Sequence, residues 1–214
     1  MKRFLFFMMC LSFLAVSCNE DKKDAPEENY DELFPFEGID KPESEFGDVV
    51  IRPCNPDALP EDYIYPGIDE VLDRDEYDVT LRYRFTEPLD ASAGSSNVAS
   101  KYILKYINKD KKEVMVCSDK NYELAHPEDV KDVIVSHDME NNEWYTVRFK
   151  AYSGFPMKLC VNGTGPRDSS IEAEITAVSV SGLTPDLRLE TRQYQNKEGI
   201  DRLAHPYCNF IVLP

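Results

Sequence analysis

Cys54, Cys117, Cys160 and Cys208 are the side chains whose type and number most directly imply chemistry. An even set of thiols implies two disulfides in an oxidising compartment, and four cysteines allow three pairings. Cys54 sits in the Pro-rich stretch Pro53-Cys54-Asn55-Pro56, where a cross-link to a strand would pin loose chain. The preferred pairing is therefore Cys54 with Cys208, and Cys117 with Cys160. A metal site built from Cys208 and His205 is the less favoured use, because zinc sites usually draw on closely spaced Cys pairs and none occurs. His126, His137 and His205 are the only imidazoles, and two of them precede Pro in expected loops. They read as surface or turn residues, not as a three-His centre.

Oxygen ligands cluster at Asp69, Glu70, Asp73, Asp75, Glu76 and Asp78. Of these, Asp69, Asp73, Asp75 and Asp78 could face Ca²⁺, yet the spacing lacks the Gly and terminal Glu of an EF-hand loop. A solvated loop leading into a strand is the favoured reading, and neither a metal nor a cofactor is expected. Tyr63 and Tyr65, braced by Pro60 and Pro66, form the candidate ligand-binding loop. Such rings stack on a sugar or a peptide, or pack against the domain for their burial energy.

Catalytic signatures are missing from the sequence. It contains no zincin helix, no nucleophile elbow and no phosphate-binding loop ending in Lys and Ser or Thr. Gly163-Thr164-Gly165 begins like a dinucleotide fingerprint, but Asp168 stands where the third Gly belongs and no βαβ context surrounds it. A glycosidase would need two carboxyls about 5 to 9.5 Å apart across a cleft, which a small sandwich seldom offers. The expectation is that the protein is not an enzyme. With 24 Lys and Arg against 40 Asp and Glu, nucleic acid is a poor partner.

The elements that must carry these residues are strands. Tyr77, Val79, Leu81, Tyr83 and Phe85 alternate with polar neighbours, as in a strand with one buried face. Lys101 to Ile107 is apolar on both faces and suits a central strand, turning at Asn108 to Lys112 into Glu113 to Cys117 as a hairpin. Trp144 to Ala151, Met157 to Val161, Ile171 to Ala177, Asp186 to Tyr194 and Tyr207 to Leu213 follow, with a turn signal at Ser153, Gly154 and Pro156. The apolar phase shifts to Val178 and Val180, which predicts a β-bulge or a change of sheet. One short helix is predicted at Pro127 to Val133, with Glu128 and Asp129 suiting its N-terminal dipole. Eight to ten strands with so little helix predict an antiparallel β-sandwich of immunoglobulin-like architecture over residues 49–214.

Ahead of that domain lie two segments of different character. Lys2 and Arg3 precede an apolar stretch from Phe4 to Val16, too short for a spanning helix of about 20 residues, and Ser17 then meets Cys18. Residues 1–17 read as a secretory leader. Ala15-Val16-Ser17-Cys18 resembles a lipobox, although Ala15 stands where Leu is usual. The resemblance implies diacylglyceryl attachment at Cys18 and removal of the leader. Asn19 to Asp24 is similar to the acidic stretch of surface-displayed Bacteroidetes lipoproteins, diluted by Lys22 and Lys23. Together these features resemble a small Bacteroidetes outer-membrane lipoprotein of an uncharacterised domain family. They imply an outer-membrane, cell-surface location in which the membrane is a partner through the lipid anchor alone. Several acyl chains hold such a protein stably where one would not.

Loss of Lys2 and Arg3 takes 24 basic side chains to 22 against 40 acidic ones, a formal charge of −18. Residues 19–48 hold twelve acids against Lys22, Lys23 and Lys41, so half of that charge lies in residues 18–48, the lipidated end and its linker. Pro26, Pro35 and Pro42 interrupt the segment, which reads as a self-repelling tether of roughly 30 Å as a coil. Leu33, Phe34 and Phe36 could dock on the domain as a first strand. The function expected from anchor, tether and β domain is a binding or accessory module for a glycan or protein ligand. The alternative is a fimbrillin-like fibre subunit in which Cys208 to Leu213 donates a strand. A small hydrolase is the weakest.

Overall fold

The computed structural model describes residues 51–56, 74–88 and 99–214. Two sheets pack face to face, so the expected β-sandwich is the fold. The smaller sheet has four antiparallel strands in the order β6 (Tyr145–Tyr152), β2 (Glu76–Thr86), β8 (Ser170–Ser179) and β9 (Leu187–Tyr194). The larger runs β1 (Arg52–Pro53), β11 (Tyr207–Val212), β7 (Pro156–Pro166), β3 (Lys101–Ile107), β4 (Glu113–Cys117) and β5 (Ile134–Ser136), with β10 (Ile200–Arg202) also on β7. All pairings are antiparallel except β4 with β5. Eleven strands thus occur among the described residues, against the eight to ten expected. The additional ones, β1, β5 and β10, are two or three residues long, too short to show a period of two.

Alternation explains the core. Tyr77, Val79, Leu81, Tyr83 and Phe85 of β2 all point between the sheets and are buried. They meet Ile171, Ala173 and Ile175 of β8, Leu104 of β3, and Met157, Leu159 and Val161 of β7. β3 is central, between β7 and β4, as its two apolar faces predict. The far face of the larger sheet is buried as well, at Met115, Cys117, Lys158, Cys160 and Phe210. There Lys158 Nζ donates to Glu113 Oε1 at 2.7 Å, with Lys105 Nζ 3.7 Å from Glu113 Oε2. Lys105 Nζ also donates to the Pro56 carbonyl at 3.0 Å, so the chain just after Cys54 lies over this face.

The Gly163-Thr164-Gly165 run lies inside β7 and serves packing. Gly163 has φ +133°, and a Cβ there would stand 2.2 Å from the Lys101 carbonyl oxygen. At Gly165 a Cβ would meet the Tyr102 hydroxyl at 2.5 Å, where that buried ring is bonded to Ser169 Oγ at 2.6 Å.

Three expectations are corrected. The helix predicted at Pro127 to Val133 is a series of turns, and a single helical turn, α1 (Tyr122–Ala125), precedes it. Pro127 disfavours helical backbone at His126, and Asp132 adopts φ 63°, which ends any continuation. No bulge or sheet change follows Ala177, since β8 stays in regular register from Ser170 to Ser179 against β2. Val178 simply faces outward, 43% exposed, and Val180 is more exposed still. Finally, Cys117 does not pair with Cys160. Cys160 is level with Lys105 of β3, and β3 separates it from Cys117 on β4. Two inter-strand spacings come to roughly 9.5 Å, beyond the Cα separation a disulfide spans. Cys117 is a buried free thiol whose burial pushes its pKa up to about 12.

Candidate functional site

The outward face of the smaller sheet collects the side chains best suited to holding a ligand. Residues of even number on β2, β6, β8 and β9 lie there, because odd-numbered ones fill the core. It gathers Arg82, Arg84, Arg148, Arg188 and Arg192, five of the ten arginines in a strongly acidic chain. Alternation from β6 puts Trp144 on the same side. A bridge between Phe85 and Asn141, followed by Asn142 in the left-handed region at φ 62°, turns the chain into this position. The Asn142 N–H donates to the Phe85 carbonyl at 2.9 Å and fixes that turn.

Trp144 is the only tryptophan and stays 47% exposed. The guanidinium carbons of Arg82 and Arg84 lie 4.8 and 4.7 Å from its ring centroid. From Arg84 the charges alternate across the strands: its Nε donates to Glu172 Oε1 at 2.8 Å, and Arg192 Nε lies 3.8 Å from Glu172 Oε2. Arg192 in turn covers the ring of Tyr194, 4.9 Å from its centroid, and that ring is 52% exposed. One row lower, Arg188 Nη2 donates to Glu174 Oε2 at 2.9 Å and sits 2.5 Å from Glu190 Oε2. Trp144, Glu172, Glu174, Arg188, Glu190 and Arg192 line a shallow depression of about 460 Å³, with Trp144 at one side.

Two exposed aromatics therefore bracket a ladder of guanidinium and carboxylate groups, roughly three strand spacings or 14 Å across. Stacking on the rings and hydrogen bonds from the ladder suit a flat, hydroxyl-rich or extended ligand. The guanidinium groups are braced by carboxylates, so they are held in place before any ligand arrives.

The residues singled out from sequence fall differently. Tyr63, Tyr65, Asp69 and Asp73 lie outside the described residues, as do Cys18, the leader, the acidic tether and Leu33 to Phe36. Asp75 and Asp78 are described and do not face one another. Asp75 Oδ2 accepts from Ser179 Oγ at 2.5 Å, Ser181 Oγ at 3.0 Å and Thr184 Oγ1 at 3.4 Å. Burial opposes its ionisation, yet these hydroxyls and the Glu76 N–H outweigh it and hold its pKa below the usual carboxylate value. Asp78 stands on the outer face opposite Lys150. His137 Nε2 lies 3.0 Å from Glu123 Oε2, while His126 and His205 are exposed. Among the described residues the one set of three metal-capable side chains that converge, within 4.8 Å, is Cys54, Cys160 and Cys208, without His205.

Trp144 was readable as the start of a strand but not as a site residue. The signal that could have found it is parity, since the lone Trp falls in step with Thr146, Arg148 and Lys150 on the wet side. No protein-family model matches the chain, and no characterised protein or solved structure is significantly similar to it.

Proposed function

We propose that this protein is a membrane-anchored, surface-displayed lipoprotein that acts as a binding module, and that the outer face of its smaller sheet takes a glycan. The observation that carries the reading is Trp144, a large ring left half-exposed between two arginines on the outer sheet face. Burying such a ring would stabilise the fold, so leaving it out is consistent with a ligand that covers it. Carboxylate-braced guanidinium groups beside it offer directed donors to hydroxyls, while Glu174 and Glu190 offer acceptors.

A glycan array probed with the full chain lacking its leader, followed by titration calorimetry on the best binder, tests this. Trp144→Ala is expected to weaken binding at least tenfold, about 1.4 kcal/mol, with an unchanged melting temperature. Arg84→Ala, which also leaves Glu172 with Arg192 alone, is expected to weaken it further. Undiminished affinity in Trp144→Ala would refute the assignment of this face. Tyr63→Ala and Tyr65→Ala in the same titration measure what the other aromatic loop contributes.

The fibre-subunit reading keeps one observation in its favour. Among the described residues β11 is flanked on its outer side by only the two residues of β1. SDS-resistant ladders of the native protein would favour that reading over a monomeric binder.

A further inference from the structure

Three sulfurs meet on the far face of the larger sheet, and their number is odd. Cys208 Sγ is within bonding reach of both Cys54 and Cys160, and the Cys54 and Cys160 sulfurs are 3.6 Å apart. A sulfur forms only one disulfide, so any oxidised state leaves one thiol over. Cys117, the remaining cysteine of the described residues, is buried two strands away and cannot take that thiol up. Register brings the cluster about: Cys208 of β11 is directly opposite Cys160 of β7, Cα to Cα 4.1 Å. Cys54 follows β1, and its N–H donates to the Cys208 carbonyl at 3.0 Å, which sets its Cα 5.3 Å from that of Cys208. The second separation falls within the usual disulfide range and the first just under it. Cys54–Cys208 is accordingly the resting bond.

We propose that Cys54, Cys160 and Cys208 form a thiol–disulfide exchange site, with Cys208 as the shared sulfur and Cys54 as the residue that takes a disulfide-bearing reagent or partner. In the internal step Cys160 gives its proton to water and its thiolate attacks Cys208 Sγ. The Cys160–Cys208 bond forms, the Cys54–Cys208 bond breaks, and the electron pair leaves on Cys54. The step is redox-neutral and needs no outside oxidant. Burial separates the two states. Cys160 is 4% exposed, so the resting state hides its spare thiol, whereas Cys54 is partly exposed and presents its thiol once displaced. An external disulfide RSSR can then be cleaved by the Cys54 thiolate, giving Cys54–S–SR and RS⁻.

The exchange also governs how the N-terminal side of the domain is held. With Cys54 bonded, the chain entering the domain is stapled to the last strand. With Cys54 displaced, the contacts that still hold that chain include the two residue pairs of β1, the Cys54 N–H bond and the Lys105 bond to Pro56.

The test incubates the folded, never-reduced protein with oxidised glutathione, quenches with N-ethylmaleimide in acid, and maps linkages by mass spectrometry. The expected product carries glutathione on Cys54 and a Cys160–Cys208 linkage. Cys160→Ser, with Cys160→Ala as a second variant and melting curves to confirm folding, should abolish the adduct and leave Cys54–Cys208 intact. Cys117→Ser should leave the adduct unchanged. Three results would each overturn the proposal: no adduct on the folded wild type, an adduct on Cys160 beside an intact Cys54–Cys208 bond, or an adduct indifferent to Cys160→Ser. Elemental analysis supplies a fourth, since three free thiols with a stoichiometric soft metal in the isolated protein would make the cluster a metal site.

Discussion

Single residues in this molecule are set by what lies across the sheet from them. Lys158 is fully buried beside Glu113, one strand further than its neighbours β11 and β3. Removing one member of such a pair leaves an uncompensated charge and costs about 3 to 5 kcal/mol, while replacing both with apolar groups of similar size is often neutral. Lys158→Met and Glu113→Leu are each expected to lower stability strongly, and the double variant to recover most of the loss, as read by urea denaturation. Lys105 at 3.7 Å softens the Lys158→Met case by remaining near Glu113. None of this was visible in the sequence, where nothing marks Lys158 or Glu113 as buried. Of the cysteine pairing, the preferred Cys54–Cys208 link is present, while the place of Cys160 beside it was hidden for the same reason. Counting thiols restricts the possibilities, but only register decides which sulfurs meet, and here it brings three together and strands the fourth.

At the scale of elements, legibility followed the number of wet faces. β2, β6, β8 and β9 have one face in the core and one in water, so their period of two was plain and they match the expected strands closely. β7 is buried on both faces over Pro156 to Val161, and only this first half, Met157 to Val161, stood out. Val178 misled because an outward valine interrupts the alternation. The depression at Trp144 joins the residue before β6 to β8 and β9 through the strand order β6-β2-β8-β9, which a linear reading cannot supply. One clasp between elements has a pH signature. Asp75, just before β2, holds Ser179 at the end of β8 and Ser181 and Thr184 beyond it. Its folded pKa is lowered, so the stability it contributes is complete above the unfolded value near 3.9 and is lost as pH falls through the folded value. Wild type is expected to weaken across that acid window, and Asp75→Asn to be destabilised at neutral pH with a flatter profile below pH 4, about where the unfolded carboxyl titrates. Denaturant midpoints measured from pH 2 to 7 would check it, with roughly that span covering both carboxylate values.

For the molecule as a whole, the sandwich was predictable from strand density, and the division into two sheets was not. Closure of the domain rests on the link between Cys54 and Cys208, which are 154 residues apart in sequence. A bond over so long a loop constrains the unfolded chain, and removing a native disulfide typically costs about 2 to 5 kcal/mol. Reductant is therefore expected to lower the melting temperature by several degrees, and the double variant Cys54→Ser, Cys208→Ser, which leaves Cys160 without a partner sulfur, to melt at that lower temperature without responding to reductant. A melt unaffected by reductant would contradict this.

The two-residue strand β1 has one more property, which concerns foreign chains that approach its edge. The Cys54 N–H points at β11, and alternation then aims the backbone nitrogen of Pro53 the other way, out of the sheet. Proline has no hydrogen to offer there, so a foreign strand approaching that border finds a missing rung. Among the described residues β1 is the last strand on that side. A chain opened at Cys54 would expose β11 itself, whose rungs are intact, and the same border would change from a blunt rim into an adhesive one.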